Sequence, residues 1–405
     1  MQRMHRMHRR EGGKVGADLI DTDFDELVAL RRDIHANPET AFDEMRTSEL
    51  VAAKLRAWNI ETHTGVGKTG VVGVIRGSRS GPESGPNSVR TIALRADMDA
   101  LPMNEEGRPL HRSLRQGVFH GCGHDGHTAM LLGAARHFSR HRDFAGTLVL
   151  IFQPAEETGG GALAMLDDGL ETRFPYDEIY AMHNAPHFAP GTFGVRDGAM
   201  LASCDEFEIN VTGVGGHGSS PEKTKDPVAA SAQLICALQT VVSRAIDPAA
   251  AAVLSVGSIH AGSASNVIPS QAKMTGTVRT FDESVRARMK ARIEAICAGV
   301  ALATECEIAV RFYGSSPATI NHRAQAEAAE AAAAEVFGPE NVLREFAPLN
   351  GSEDFSEFLL RRPGAYVLLG QGGVYCHHPE FDFNDEVLPL GVRFFVTLAL
   401  ARLSA

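Results

Sequence analysis

"TLVLIFQPAEETGGGALAMLDDG", residues 147–169, decides how the chain folds. Its first seven residues form an unbroken apolar run, the pattern of a strand buried on both faces of a parallel sheet, where a half-wet strand would alternate. Pro154 and the glycines at 159–161 then break the run into a turn, and the residues after them read as a helix. Strand, turn and helix make one step of a βαβ series, and similar steps stand on either side. Upstream are the strand "TIALRAD" (91–97) and the helix "TAMLLGAARHFSR" (128–140), whose Leu131, Ala135 and Phe138 share a face and whose N-cap candidate is Asp125. Downstream is the strand "EIYAMHN" (178–184). The series predicts an α/β fold with a mixed, largely parallel sheet flanked by helices, and it puts ligands at the carboxyl ends of the strands.

Two helical patterns, "DFDELVALRRDIHANPE" closed by Pro38 and "EMRTSELVAAKLRAWN", and the strand "GVVGVIRG" come first, joined to the series by the Gly/Ser/Pro loop "SRSGPESGPNS" (78–88). From Cys204 the order changes. Strand "CDEFEINVTG", helix "DPVAASAQLICALQTVVSRAI", strands "AAVLSVGSIHA" and "QAKMTGTVRTF", helix "ESVRARMKARIEAICAGVALA" and strand "CEIAVRFYG" spell the ferredoxin-like β-α-β-β-α-β unit. After Ser315 the α/β pattern resumes, with an alanine-rich helix at 324–337, the strand "GAYVLLG" and a last helix from Pro389 to Leu403. The expected organisation is a disordered leader at 1–17, a catalytic domain made of 18–200 and 316–405, and an inserted α+β domain at 201–315.

With 405 residues and 44% hydrophobic content the chain is long enough for two or three cored domains. A net charge of -11 argues against a nucleic-acid or anionic-membrane surface, so small molecules are the expected partners. Six scattered cysteines suit a reducing compartment, and the cytoplasm is the expected location. The basic start "MQRMHRMHRREGG" lacks the apolar run of a signal peptide, and no stretch is expected to approach the length of a membrane span.

The chemistry gathers at the predicted strand ends. "HGCGHDGHTAM" (120–130) is dense in thiolate and imidazole, which borderline metals such as zinc prefer. No second Cys or His pair follows at zinc-finger spacing, so further ligands must come from far along the chain. "LRADMDALP" supplies Asp97 and Asp99, "QPAEET" Glu156 and Glu157, "AMHNAPH" His183, and "YCHHPEFDF" His377 and His378. Each alone reads as an ordinary structural or solvated residue, but together they fall at equivalent ends of strands in one sheet. Adjacent glutamates in extended backbone diverge, so one can bind metal while the other faces the substrate as general base. Two metals sharing a ligand would activate a water and hold the carbonyl oxygen of a scissile amide. Cys122, His124, Glu157, His183 and His377 suffice for such a pair if one of them bridges.

"RADMDALPMNEE", "HGCGHDGHTAMLLGAA", "PAEETGGGA", "MHN", "GGHGSSP", "NVIP", "GTVRTFD" and "SEDF", in this order, resemble the amidohydrolase branch of the aminoacylase and carboxypeptidase-G superfamily. That branch includes hippurate hydrolase, N-acyl-L-amino acid amidohydrolases and the indole-acetyl-amino-acid hydrolases, and the likeness spans nearly the whole chain from about residue 18. It implies two divalent metal ions per chain, zinc or manganese, with cobalt or nickel as alternatives. The implied reaction is hydrolysis of the amide bond of N-acyl amino acids, hippurate-like or N-acetyl, to a carboxylic acid and a free amino acid. Cys122, His124, Glu157, His183 and His377 resemble the metal ligands, and Glu156 the general base toward a metal-bound water. His377 is preferred to His378 because the family's ligand stands two residues before the proline, here Pro379.

Asp97 and Asp99 stand where other branches carry His-x-Asp, so the first position departs from that pattern. Asp97 is expected to orient a ligand from behind, and Asp99 is counted with the catalytic residues. His217 resembles the residue that stabilises the oxyanion, and Asn266 and Arg279 the holders of the substrate carboxylate. A planar guanidinium suits that task, since it binds a carboxylate through two hydrogen bonds. The inserted domain resembles a lid and dimerisation domain that donates its histidine across the interface, so a homodimer is expected. Cys376, preceding His377 in what reads as extended backbone, should point away from the metals. Retention of Glu156 argues against a catalytically silent ligand-binding relative, and a metallo-dipeptidase or carboxypeptidase is the alternative enzyme.

Overall fold

The computed structural model describes residues 24–81 and 89–403; the expected leader at 1–17 and most of the loop at 78–88 lie outside the described residues. In chain order the first elements are α1 (Phe24–Ala36), α2 (Met45–Ala57), β1 (Glu61–Val66), β2 (Gly70–Arg76), β3 (Thr91–Asp97), α3 (His124–Arg140), β4 (Thr147–Gln153), α4 (Gly161–Asp167), β5 (Glu178–Ala185) and β6 (Phe193–Gly194). Then follow β7 (Ser203–Thr212), α5 (Pro227–Thr240), β8 (Ala252–Ala261), β9 (Gln271–Thr280), α6 (Glu283–Thr304) and β10 (Glu307–Ser316). The chain returns as α7 (Arg323–Phe337), β11 (Val342–Leu343), β12 (Gly364–Gly370) and α8 (Leu388–Leu403).

The larger sheet has eight strands in the order β1-β2-β4-β3-β5-β12-β6-β11. Its four central strands run parallel, and β1, β2 and β6 add antiparallel pairs on the flanks. It is the mixed, largely parallel sheet expected. The apolar run that forms β4 shows why: Leu148, Leu150 and Phe152 join one core with Leu27, Val51, Leu131 and Phe394 of the helices on one face. Val149 and Ile151 join a second core with Met165 and Leu166 of α4 on the other. Both faces are covered, so no position in the run is free to be polar. The chain passes from β3 to β4 on one side and then to β5 on the other, which opens a crevice at the carboxyl end of β3.

The second sheet is antiparallel in the order β8-β9-β7-β10. It has its own core, with Phe207 and Ile209 of β7, Leu234 of α5, Met274 of β9 and Ile293 of α6. Ser203 pairs with Thr280 at one end of the β7–β9 ladder and Thr212 with Gln271 at the other. At about 3.3 Å per residue, the ends of such a ten-residue strand are roughly 30 Å apart. One expectation does not hold: residues Pro227–Ala245 form a helix long and apolar enough to cross a membrane by length and composition. Its apolar content includes a stripe, Ala230, Leu234 and Leu238, buried against the sheet.

Candidate metal centre

The carboxyl ends of β3, β4 and β5 meet the first turn of α3, and Asp99 ties them together. Its carboxylate accepts from the backbone N–H groups of Glu156 (3.1 Å) and Glu157 (3.0 Å) and from His124 Nδ1 (3.2 Å). Asp99 is itself buried, and these bonds tie it to the candidate ligands and base from behind the cavity wall. His124 Nδ1 is engaged by Asp99, and its Nε2 is buried without a hydrogen-bond partner among the described residues; burial opposes charge on this ring, but Asp97, Asp99 and Glu157 outweigh it and raise its pKa well above the ordinary value. His183 is set the same way: Nδ1 donates to the Asn184 carbonyl oxygen (2.7 Å) and Nε2 faces Cys122 Sγ at 3.4 Å. Burial and the neighbouring His127 push its pKa well down, which favours the neutral ring that a metal site requires.

Backbone strain concentrates here. Gly123 caps α3 at φ 94°, and a Cβ on it would stand 2.4 Å from Asn184 Oδ1, so only glycine can put Cys122 and His124 on either side of that turn. Asp125, expected as the cap, instead lies buried inside the first turn, 2.8 Å from His35 Nδ1. Ala155 and His377 adopt φ 52° and 66°, conformations that cost a non-glycine residue energy and cluster at functional sites. After Ala155 the two glutamates form a 3₁₀ turn, Glu156–Thr158, rather than the extended segment expected, and a 3₁₀ turn rotates successive side chains apart by about 120°. Glu157 Oε1 lies 3.4 Å from His377 Nε2 and 3.9 Å from His124 Nε2.

Several overlapping groups of donor atoms lie here, each within 4.8 Å: among them Cys122, His124 and His183; Cys122, Glu157 and His377; and His124, Glu156 and Glu157, and the first two best fit separate cation sites. Those two share Cys122. His124 Nε2 is buried without a hydrogen-bond partner among the described residues, a rare and costly state that a cation would relieve. Thiolate, imidazole and carboxylate are also the donor types that zinc takes, so the residues fit divalent metal. His378 belongs to none of these groups; its ring accepts from the Glu380 backbone N–H. His127, the third histidine of the opening motif, is fully engaged, by Asp97 Oδ1 (2.6 Å) at Nδ1 and by Asn184 at Nε2. Asp97 therefore holds His127, and through it Asn184 beside His183, more directly than it holds a ligand.

Sequence reasoning missed what lies behind Asp97. Arg95, buried in β3, bonds Asp97 (2.6 Å), Glu353 (2.8 Å), Asp354 (3.1 Å) and Gln153 (2.8 Å). The signal was present: a guanidinium inside the apolar run "TIALRAD" must be paired.

A cavity of about 930 Å³ opens over the donors and is walled on the far side by the second sheet, including Arg279 of β9. Arg279 Nη1 is buried and unpartnered among the described residues. His217 and Asn266 do not join it. They lie past the opposite end of the β7–β9 ladder, where Gly218 N–H donates to the Asn266 carbonyl and His217 Nδ1 is held by Ser219. The expectation that Arg279 and Asn266 grip one carboxylate is therefore not met within one chain. Cys376 is a further correction: its segment is a turn, so its thiol faces the cavity instead of pointing away, with Sγ 3.8 Å from the Cys122 carbonyl oxygen.

Residues 93–401 match the model of peptidase family M20/M25/M40. The chain belongs to that family, in its amidohydrolase branch, and is a metal-dependent amidohydrolase. It is 42% identical over 376 residues to the hippurate hydrolase of Campylobacter jejuni, covering 93% of this chain and 96% of the relative. It is 39% identical over 391 residues to thermostable carboxypeptidase 2 of Saccharolobus solfataricus, covering 93% and 95%. Among solved structures it is similar to the Bacillus subtilis YXEP protein, a dinuclear metal binding peptidase of the M20 family, with a TM-score of 0.80, 34% identity and coverage of 95% and 99%.

Proposed function

We propose that the protein hydrolyses the amide bond of N-acyl amino acids bearing a free α-carboxylate, with two divalent cations that Cys122, His124, His183, Glu157 and His377 would hold. The observation that carries this is the pair of donor groups sharing Cys122 in one cavity with Glu156 and with Arg279, whose Nη1 is buried without a hydrogen-bond partner among the described residues. His124 and His183 would complete one cation site and Glu157 and His377 the other. When bound, the cations supply Lewis-acid polarisation of the amide carbonyl and activation of a water. Glu156, at the cavity wall beside these donors, would serve as the general base toward the attacking water and return the proton to the departing nitrogen. Asp99 keeps Glu156, Glu157 and His124 in register throughout. Arg279 holds the substrate carboxylate, and His217 of a partner subunit meets the developing oxyanion. This reading agrees with a relative named for hippurate, an N-acyl glycine, while the relative named a carboxypeptidase keeps peptide substrates as the second reading.

A panel of hippurate, N-acetyl amino acids, indole-acetyl conjugates and dipeptides, each as acid and as α-amide, tests it on metal-reconstituted enzyme. The expected result is hydrolysis of acyl amino acids but not of their α-amides, with Arg279→Met lowering kcat/KM on the acids by roughly 30-fold or more, the cost of an unpaired buried charge. Equal rates on acids and amides would remove the carboxylate grip, and a preference for dipeptides would favour the second reading.

A further inference from the structure

The proposed ligand set uses Cys122 and leaves a second thiol beside it without a role. Cys376 Sγ is 3.8 Å from the Cys122 carbonyl oxygen and 3.6 Å from Asn184 Nδ2. The backbone holds their segments together, for His377 N–H donates to the Gly121 carbonyl at 2.8 Å. A disulfide needs Cα atoms roughly 4.4–6.8 Å apart, and this bond brings the segments carrying the two cysteines alongside each other. Both residues line the same cavity, so a small oxidant entering with solvent reaches both. Cys204 lines that cavity as well, but from β7, with Thr277 and Ser352 as its neighbours.

We propose that Cys122 and Cys376 form a reversible disulfide when the centre is metal-free, and that bound cations prevent it by engaging the Cys122 sulfur. The oxidant is a peroxide. One thiol attacks the O–O bond of hydrogen peroxide, releasing water and leaving a sulfenic acid; the second thiol displaces the hydroxyl as another water and closes the S–S bond. Two thiols lose two hydrogens and one peroxide becomes two waters. A disulfide sulfur carries no negative charge and is a far weaker metal donor than a thiolate, so the oxidised protein is expected to lose metal until a thiol reductant reopens it. The pairing also shields Cys122 from irreversible oxidation to sulfinic acid. Gating by metal rests on the proposed ligand role of Cys122; the pairing itself does not.

The test compares chelator-stripped with metal-replete full-length protein after hydrogen peroxide, with free thiols alkylated under denaturing conditions and unreduced peptides identified by mass spectrometry. The expected product is a Cys122–Cys376 linked peptide in the stripped protein alone, with metal stoichiometry, measured by elemental analysis, lost on oxidation and restored by reductant. In Cys376→Ser the link disappears, Cys122 is recovered as sulfinic or sulfonic acid, and reductant no longer restores metal. Oxidation of wild-type stripped protein at Cys122 without the link, or linkage of Cys122 to Cys204, overturns the disulfide while leaving the ligand reading standing. Equal linkage in replete protein whose metal content is unchanged overturns the gating and the ligand role of Cys122 together. The wild-type arms decide the matter even if the variant does not fold.

Discussion

Glu156 and Glu157 are adjacent carboxylic acids with opposite electrostatic surroundings. Burial, together with the carboxylates of Glu353, Glu157, Asp354 and Asp99, pushes the Glu156 carboxyl well above the usual range. Burial acts on Glu157 too, but the His377 ring bonded to it and the nearby His124 hold its carboxyl below its ordinary value. Titratable neighbours whose environments drive them apart mark a division between proton carrier and permanent anion. Glu156→Gln keeps the size and the hydrogen-bonding backbone, so it is expected to retain both metals while kcat falls by roughly 10²–10⁴. Glu157→Ala removes a donor, so metal and activity fall together. Elemental analysis alongside steady-state rates checks both, and equal metal loss in the two variants would show that the roles are misassigned.

At the scale of elements, α1 is bound to α3 through His35 and Asp125. Burial alone would lower the His35 pKa, but hydrogen bonds to Asp125 and Glu105 overcome it and raise the value to about 9. A histidine whose folded pKa lies above its unfolded value of roughly 6.5 lends stability that is complete below that pH and disappears as pH rises through about 9. The difference in unfolding free energy between wild type and His35→Gln is thus expected to shrink by on the order of 3 kcal/mol from pH 6 to pH 10. Urea unfolding of the holoenzyme across that range measures it, and a difference constant with pH would exclude protonated His35 as the link. This pairing was not readable beforehand, because nothing local connects residues 35 and 125, whereas the elements themselves were. Continuous apolar runs announced β3, β4, β5 and β12, and split-unit alternation announced β7 to β10. Cys122, His124, Glu157 and His183 were legible as neighbours because parallel strands put their carboxyl ends on one edge. What escaped was dihedral detail: the left-handed turns at Ala155 and His377 reorient Glu156, Glu157 and Cys376 in ways an extended-strand assumption inverts.

At the scale of the whole molecule, the donors and the oxyanion candidate sit at opposite ends of a rigid ladder. Arg279 at the near end of β9 lines the cavity, while His217 and Asn266 lie beyond Thr212 and Gln271 at the far end, roughly 30 Å along the strands. No rearrangement within the ladder brings them together, so a single chain lacks part of the proposed machinery. A two-fold dimer would supply it reciprocally if each cavity received the far end of the other chain's ladder. Glu156→Gln and His217→Ala proteins, each inactive alone, are then expected to regain activity when unfolded together and refolded as a mixture. In the mixed dimer the chain with intact Glu156 receives an intact His217 from its partner, so one working site forms, and activity should scale with the mixed-dimer fraction. If His217 instead acts on its own chain's site, neither chain of the mixed dimer is complete. A mixture as inactive as its parents, with subunit exchange demonstrated by differently tagged chains, would rule out donation between subunits.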